Sequence, residues 1–186
     1  MDEKTLMTQV ENRMKKVIEA YKKDLASMRA GRATPALLER VMVDYYGVPT
    51  PINQVASIGV APPRTLVIQP WDKNLMGNIE KAIQKSDLGA MPVSDGTVIR
   101  VTIPPLSGDR RQELIKSLKK DAEAQKVHIR NIRRSAIDEI RQAEKDKEIS
   151  EDQSRRMQEK VQKLTDEYIK IVDEMTSAKE AEVMEV

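Results

Sequence analysis

From Asp109 to Lys147 the chain contains neither Gly nor Pro, and its apolar and small residues recur at helical spacing. Ile115, Leu118, Ala122, Gln125, Ile129, Ile132, Ala136, Ile140 and Ala143 step by three or four residues. At about 100° per residue they form one stripe, which predicts a single long helix buried along that stripe, with Gln125 its one polar member. Turning about 40 to 140° away from the stripe brings up Lys116, Lys119, Lys126, Arg130, Arg133, Arg134 and Arg141, interrupted by Glu123 and Ile137. A basic flank therefore runs beside a core seam, and it is densest at Ile129-Arg130-Asn131-Ile132-Arg133-Arg134.

A single-striped helix must bury its stripe against other helices. The spacing predicts a first helix over about 5–28, with Leu6, Val10, Met14, Val17, Tyr21, Leu25 and Met28 inward and Lys15, Lys16, Lys22 and Lys23 outward. The last helix opens at Ser150, whose partner three residues on is Gln153, a capping-box pair, and its stripe is Met157, Val161, Leu164, Tyr168, Ile171, Met175 and Ala178. The long and last helices form a hairpin, and two helices alone leave their seam open to water, so the first helix completes a three-helix bundle.

The segment between the first and long helices has a different composition. Val41, Val43 and Tyr45 alternate with Met42, Asp44 and Tyr46, as in a strand, and Gly47-Val48-Pro49-Thr50-Pro51 reads as a turn. Further strands are expected at 56–60, 64–69 and 98–103, and a helix from Asp72 as N-cap to about Lys85, with Trp71 and Met76 spaced as a hydrophobic staple. Ser94-Asp95-Gly96-Thr97 supplies a turn, Pro104-Pro105 ends the last strand, and Ser107 caps the long helix. The predicted fold class is α+β: a discontinuous three-helix bundle formed by 1–30 and 106–186, with a small β/α/β domain inserted at 31–105. Links at 30–35 and 104–107, with Gly and Pro at their ends, make a hinge.

Charge distributes function along this frame. The whole chain is nearly balanced at +2, yet residues 109–134 carry nine Lys/Arg against four Asp/Glu while residues 135–186 carry nine against fifteen. One part attracts polyanions and the rest repels them. The arginine run has two readings. In one, Arg130, Arg133 and Arg134 pair with acids of neighbouring helices. In the other, which the clustering favours because Asp138, Glu139, Glu144 and Asp146 gather farther along, the planar guanidiniums grip phosphates of RNA or another polyanion. Arg110 and Arg111 sit in the first turn of the helix, where the dipole disfavours cations, which points to binding or loop contacts.

Catalytic signals are weak. The chain has no phosphate-binding Gly-x4-Gly-Lys loop, no dinucleotide fingerprint and no nucleophile elbow, so it is not expected to be an enzyme. His128 is the only histidine, lies off the seam and is expected at the bundle edge; Cys is absent, and neither a metal nor a cofactor is expected. The ten Met are expected as core filler rather than a peptide groove, and Trp71 as a staple rather than a base-stacking platform. No apolar run reaches the roughly 20 residues of a membrane span, and the polar start Met1-Asp2-Glu3-Lys4 lacks a signal sequence, so a cytoplasmic protein is expected. A protein-binding helical adaptor and an enzyme remain the competing classes; the first would bind with little salt dependence, the second needs a pocket of convergent polar groups.

Several separated motifs occur in order: Gly31-Arg32-Ala33-Thr34-Pro35, Asp44-Tyr45-Tyr46-Gly47 with Thr50-Pro51, Asp87-Leu88-Gly89, Ile99-Arg100-Val101 with Pro104-Pro105-Leu106, Arg110-Arg111, Arg130-Asn131-Ile132-Arg133-Arg134 and Ile149-Ser150-Glu151-Asp152. On these the chain resembles the bacterial ribosome recycling factors along essentially its full length. Ser107-Gly108 departs from the Thr-Glu pair of many relatives, keeping the cap while losing the acid at 108. The resemblance implies an L-shaped molecule, acting as a monomer on the post-termination ribosome with the GTPase elongation factor G. It implies that the bundle contacts large-subunit ribosomal RNA, that the small domain receives the push of the partner, and that the subunits then separate with release of mRNA and deacylated tRNA. Carried over by motif, Arg130 and Arg133 are the principal RNA contacts, Arg110, Arg134 and Arg29 support them, and Gly31, Arg32, Pro104 and Pro105 form the hinge.

Overall fold

The computed structural model describes residues 1–28 and 31–185. Among the described residues there are four α-helices, α1 (Glu3–Ser27), α2 (Met76–Gln84), α3 (Gly108–Lys145) and α4 (Glu151–Met184), and six strands. The strands are β1 (Met42–Tyr45), β2 (Val48–Pro51), β3 (Ala56–Ala61), β4 (Thr65–Pro70), β5 (Pro92–Ser94) and β6 (Ile99–Thr102). The chain divides into two compact units, one of Met1–Asp24 with Gln112–Val186 and one of Leu25–Arg111.

The first unit is built from α1, α3 and α4. Leu118, Ile129 and Ile140 of α3 are fully buried, as are Met14 of α1 and Val161 and Val172 of α4. Two parts of the expected seams are displaced by one residue. In the first turns of α3 Leu114 is buried and Ile115 only half so. On α4 the buried positions after Val161 are Thr165, Tyr168, Val172, Thr176 and Val183, while Leu164, Ile171 and Met175 are only half-buried and Ala178 is exposed. Threonine can occupy a core seam because its hydroxyl bonds back one turn: Thr165 Oγ1 donates to the Val161 carbonyl and Thr176 Oγ1 to that of Val172, both at 2.8 Å. The Ser150 capping box is present, with Gln153 N–H donating to Ser150 Oγ at 3.1 Å and Ser150 N–H to Gln153 Oε1 at 2.9 Å. Before it, α3 ends in a Schellman turn: Glu148 N–H reaches the Ala143 carbonyl at 2.9 Å, and Lys147 sits at φ 59° where glycine is usual.

In the second unit the antiparallel order β3-β4-β6-β5 makes a four-stranded sheet, and β1-β2 a separate hairpin. Ile99, Val101 and Ile103 point inward, as do Leu66 and Ile68, and they meet Ile79 and Ile83 of α2 in one core. The stretch 47–51 is not only a turn. Tyr46 and Gly47, at φ 49° and 87°, form a two-residue turn, and Val48–Pro51 is strand β2. Two prolines are tolerated there because Pro49 and Pro51 face Asp44 and Met42 at the positions that exchange no ladder hydrogen bonds. Strand β5 is also additional to the expected set; three residues beginning at a proline carry too little alternation to be seen. Asp72 caps the following turn, accepting from Asn74 N–H at 3.0 Å, but the helical segment starts as a 3-10 turn, Lys73–Leu75, before α2.

Candidate nucleic-acid interface

The basic flank of α3 is presented as the helical periodicity requires, because Ile129 and Ile132 are buried and fix the rotation of the helix. Arg130 and Arg133 emerge half-buried at the edge of the seam, and Arg134 is exposed. Their side chains are only lightly committed. Arg130 Nη1 lies 3.0 Å from Glu123 Oε1, about two turns back on the same exposed face, a pair of the kind worth between zero and about 1 kcal/mol. Arg133 Nη1 donates to Gln162 Oε1 of α4 at 3.4 Å. Arg134 and Arg141 have no ion pair among the described residues. Among the described residues Lys126 is the flank member with an ion pair to a neighbouring helix, at 2.5 Å from Asp173. The run is thus not spent on acids of neighbouring helices. His128 is exposed.

Arg133 also lines a groove of about 510 Å³ between α3 and α4, together with Ile137, Arg141, Arg155, Gln158 and Gln162. Arg155 escaped sequence reasoning. Antiparallel helices joined by a tight turn place residues equidistant from that turn side by side, so counting outward from 146–150 would have found it opposite Arg141. Glu144, Glu151 and Glu159 share the groove, which makes it mixed in charge rather than a one-sign anion trap.

Arg110 is exposed and belongs to the second unit. Its N–H donates to Ser107 Oγ at 3.1 Å, which establishes Ser107 as the cap. Arg29 lies outside the described residues. The link residues come together within the second unit. Gly31 has φ 83°, and a Cβ placed on it would lie 3.7 Å from Leu106 Cγ, so the two links run side by side. Both are tied to the β3–β4 turn: Ala33 N–H donates to the Pro63 carbonyl at 3.0 Å and Ile103 N–H to that of Arg64 at 2.7 Å. Arg32, Pro104 and Pro105 are exposed.

Trp71 does not pack as a staple; it is 67% exposed. Tyr45 and Tyr46 are exposed too, edge to face at 4.9 Å. Tyr46 OH donates to Asp72 Oδ2 at 2.9 Å, and that bond to a carboxylate raises the phenol above its ordinary value. Among the described residues no group of three or more His, Asp or Glu is placed to hold a metal ion, and no helix is long and apolar enough to cross a membrane.

The family profile described as Ribosome recycling factor matches residues 21–184. The chain belongs to the ribosome recycling factor family. It is 57% identical to the ribosome-recycling factor of Carboxydothermus hydrogenoformans over 97% of this chain and 98% of the relative, and 55% identical to that of Symbiobacterium thermophilum over 98% and 99%. Among solved structures it resembles a solution structure of the ribosome recycling factor with a TM-score of 0.80 at 42% identity, covering 100% of this chain and 99% of the other. A second neighbour, with a TM-score of 0.69 at 42% identity and full coverage of both chains, comes from models of the T. thermophilus ribosome recycling factor and the E. coli elongation factor G bound to the E. coli post-termination complex. The family is one of non-enzymatic translation factors.

Proposed function

We propose that this chain recycles ribosomes: with the GTPase elongation factor G it binds the post-termination ribosome and promotes splitting into subunits, with release of mRNA and deacylated tRNA. The observation that carries this is the full-length likeness to a recycling factor bound to a post-termination complex, at 42% identity. The α3 flank supplies the contact to large-subunit ribosomal RNA. Arg130 and Arg133 are its principal residues, because their guanidiniums have only loose partners to exchange for phosphate oxygens, which they can grip in bidentate fashion. Arg134, Arg110 and Arg29 support them.

Nucleotide hydrolysis belongs to the partner, since this chain has no phosphate-binding loop. The small unit takes the push of that partner and transmits it through links at Gly31, Arg32, Pro104 and Pro105. The protein works as a monomer in the cytoplasm, where bacterial ribosomes are. Sucrose-gradient co-sedimentation with post-termination ribosomes, with and without added salt, tests the reading. Salt-sensitive co-sedimentation, with subunit separation once elongation factor G and GTP are added, is expected. A chain that never enters the ribosome peak would sink it.

A further inference from the structure

The four-stranded sheet ends at β3, and the polar groups of that edge can be assigned from register. Pro70, which has no N–H, faces Ala56, and Trp71 N–H donates to the Val55 carbonyl at 3.2 Å. The ladder to β4 therefore runs through Ser57, Gly59 and Ala61, and Ala56, Ile58 and Val60 turn their N–H and C=O groups outward. Among the described residues these outward groups have no backbone partner. An unpaired edge is a template for another strand.

Alongside this edge lies a cavity of about 470 Å³ whose lining includes Pro35, Leu38, Glu39, Ile58 and Trp71. Trp71 and Glu39 decide what fits. The small unit's buried cluster contains no aromatic residue, and the one indole of the chain stands 67% exposed against this groove. Glu39 is the only charged residue of the lining, is exposed, and has no ion pair among the described residues. No lysine or arginine lines the groove, so it offers nothing to a phosphate backbone. A second copy paired edge to edge would bring its own Glu39 to the same groove, where like charges repel.

We infer that the β3 edge and the Glu39–Trp71 groove receive an extended segment of a protein partner, added as a fifth strand and carrying a Lys or Arg. The main chain bonds to the outward groups of Ile58 and Val60, an apolar side chain enters beside Leu38, and the cation meets the Glu39 carboxylate or the indole face. The inference rests on the proposed recycling function, in which the small unit meets a protein.

Three variants test it in a subunit-splitting assay with post-termination ribosomes, elongation factor G and GTP. Glu39→Lys reverses the one charge, Trp71→Ala removes the anchor, and Val60→Pro deletes an outward N–H without touching the β4 ladder. Each is expected to melt like wild type and to co-sediment with ribosomes equally well without the partner. Each should need at least about tenfold more elongation factor G for half-maximal splitting, as loss of a central interface anchor implies. Should Val60→Pro melt early, Glu39→Lys decides alone, because it alters an exposed side chain. A photo-crosslinking residue at position 71 should join to a protein. Crosslinks to ribosomal RNA or to a second copy, or wild-type splitting by Glu39→Lys and Trp71→Ala, overturn the docking surface while leaving the recycling function standing. A wild-type chain that neither binds nor splits ribosomes overturns both.

Discussion

Tyr21 of α1 and Thr176 of α4 meet hydroxyl to hydroxyl at 2.5 Å in the buried interior of the helical unit. Since Thr176 also bonds to the Val172 carbonyl, the three groups form a short chain that fixes α1 against α4. Tyr21→Phe is expected to cost about 1 kcal/mol, because Thr176 keeps its bond to Val172 and only the phenol contact is lost. Thermal unfolding of the two proteins side by side measures it.

The same phenol sets an alkaline limit. Burial raises Tyr21 above the ordinary tyrosine value, outweighing the opposing Thr176 bond, and burial with the nearby Glu11 carboxylate raises Tyr168. A group raised on folding contributes its full stability below its unfolded value, near 10, and loses it as pH climbs through the folded one. Melting temperature should therefore hold level at neutral pH and fall above about pH 10, and less steeply in Tyr21→Phe. An equal alkaline slope in both proteins would assign the effect elsewhere.

The seams of α1 and most of α3 could be read from sequence because, Gln125 apart, apolar residues alone lie on them at steps of three and four. The α4 seam could not, since Thr165 and Thr176 are polar by name and become apolar in effect only when their hydroxyls bond back into the helix. Leu164, Ile171 and Met175, one position earlier, are the larger apolar residues and yet only half-buried. Strand β2 was hidden by Pro49 and Pro51, whose meaning depends on which ladder positions they occupy. The Arg130–Arg134 run was visible as a cluster, whereas Arg155 needed the register of the helical hairpin, and the exposure of Trp71 follows from no local pattern at all.

Lys147 closes the Schellman turn at φ 59°, a left-handed conformation that costs a side chain and suits glycine. Lys147→Gly should relieve that strain and stabilise the helical unit by roughly 0.5–1 kcal/mol, raising the melting temperature by about 1–4 °C. Unchanged or lower melting would mean that the lysine side chain repays the strain by a contact of its own.

The two links run together at Gly31 and Leu106 and are tied to the β3–β4 turn through Ala33 and Ile103. Lengthening or stiffening one of them is expected to leave ribosome binding intact and to slow splitting. Deleting residues 33–103 and joining the ends should leave a helical unit that still co-sediments. Loss of cooperative unfolding in that deletion would show that the bundle depends on the inserted segment.

Arg133 separates an RNA contact from a scaffold residue most sharply. Its guanidinium reaches Gln162 at only 3.4 Å, a neutral and loose partner, while its stem lies half-buried at the bundle edge. A scaffold role predicts early melting of Arg133→Ala through lost packing. The RNA role predicts little change in melting, since alanine is the better helix former, together with a loss of about 1.5–3 kcal/mol of ribosome affinity, or roughly ten- to hundred-fold. Arg133→Glu should bind worse still, because it adds repulsion from phosphate. If the flank neutralises about four phosphates, the log–log slope of affinity against salt should be roughly −3 in wild type, and Arg133→Ala should make it shallower by just under one. Melting many degrees lower with ribosome affinity and salt slope unchanged would remove Arg133 from the interface and leave Arg130 and Arg134 to carry it.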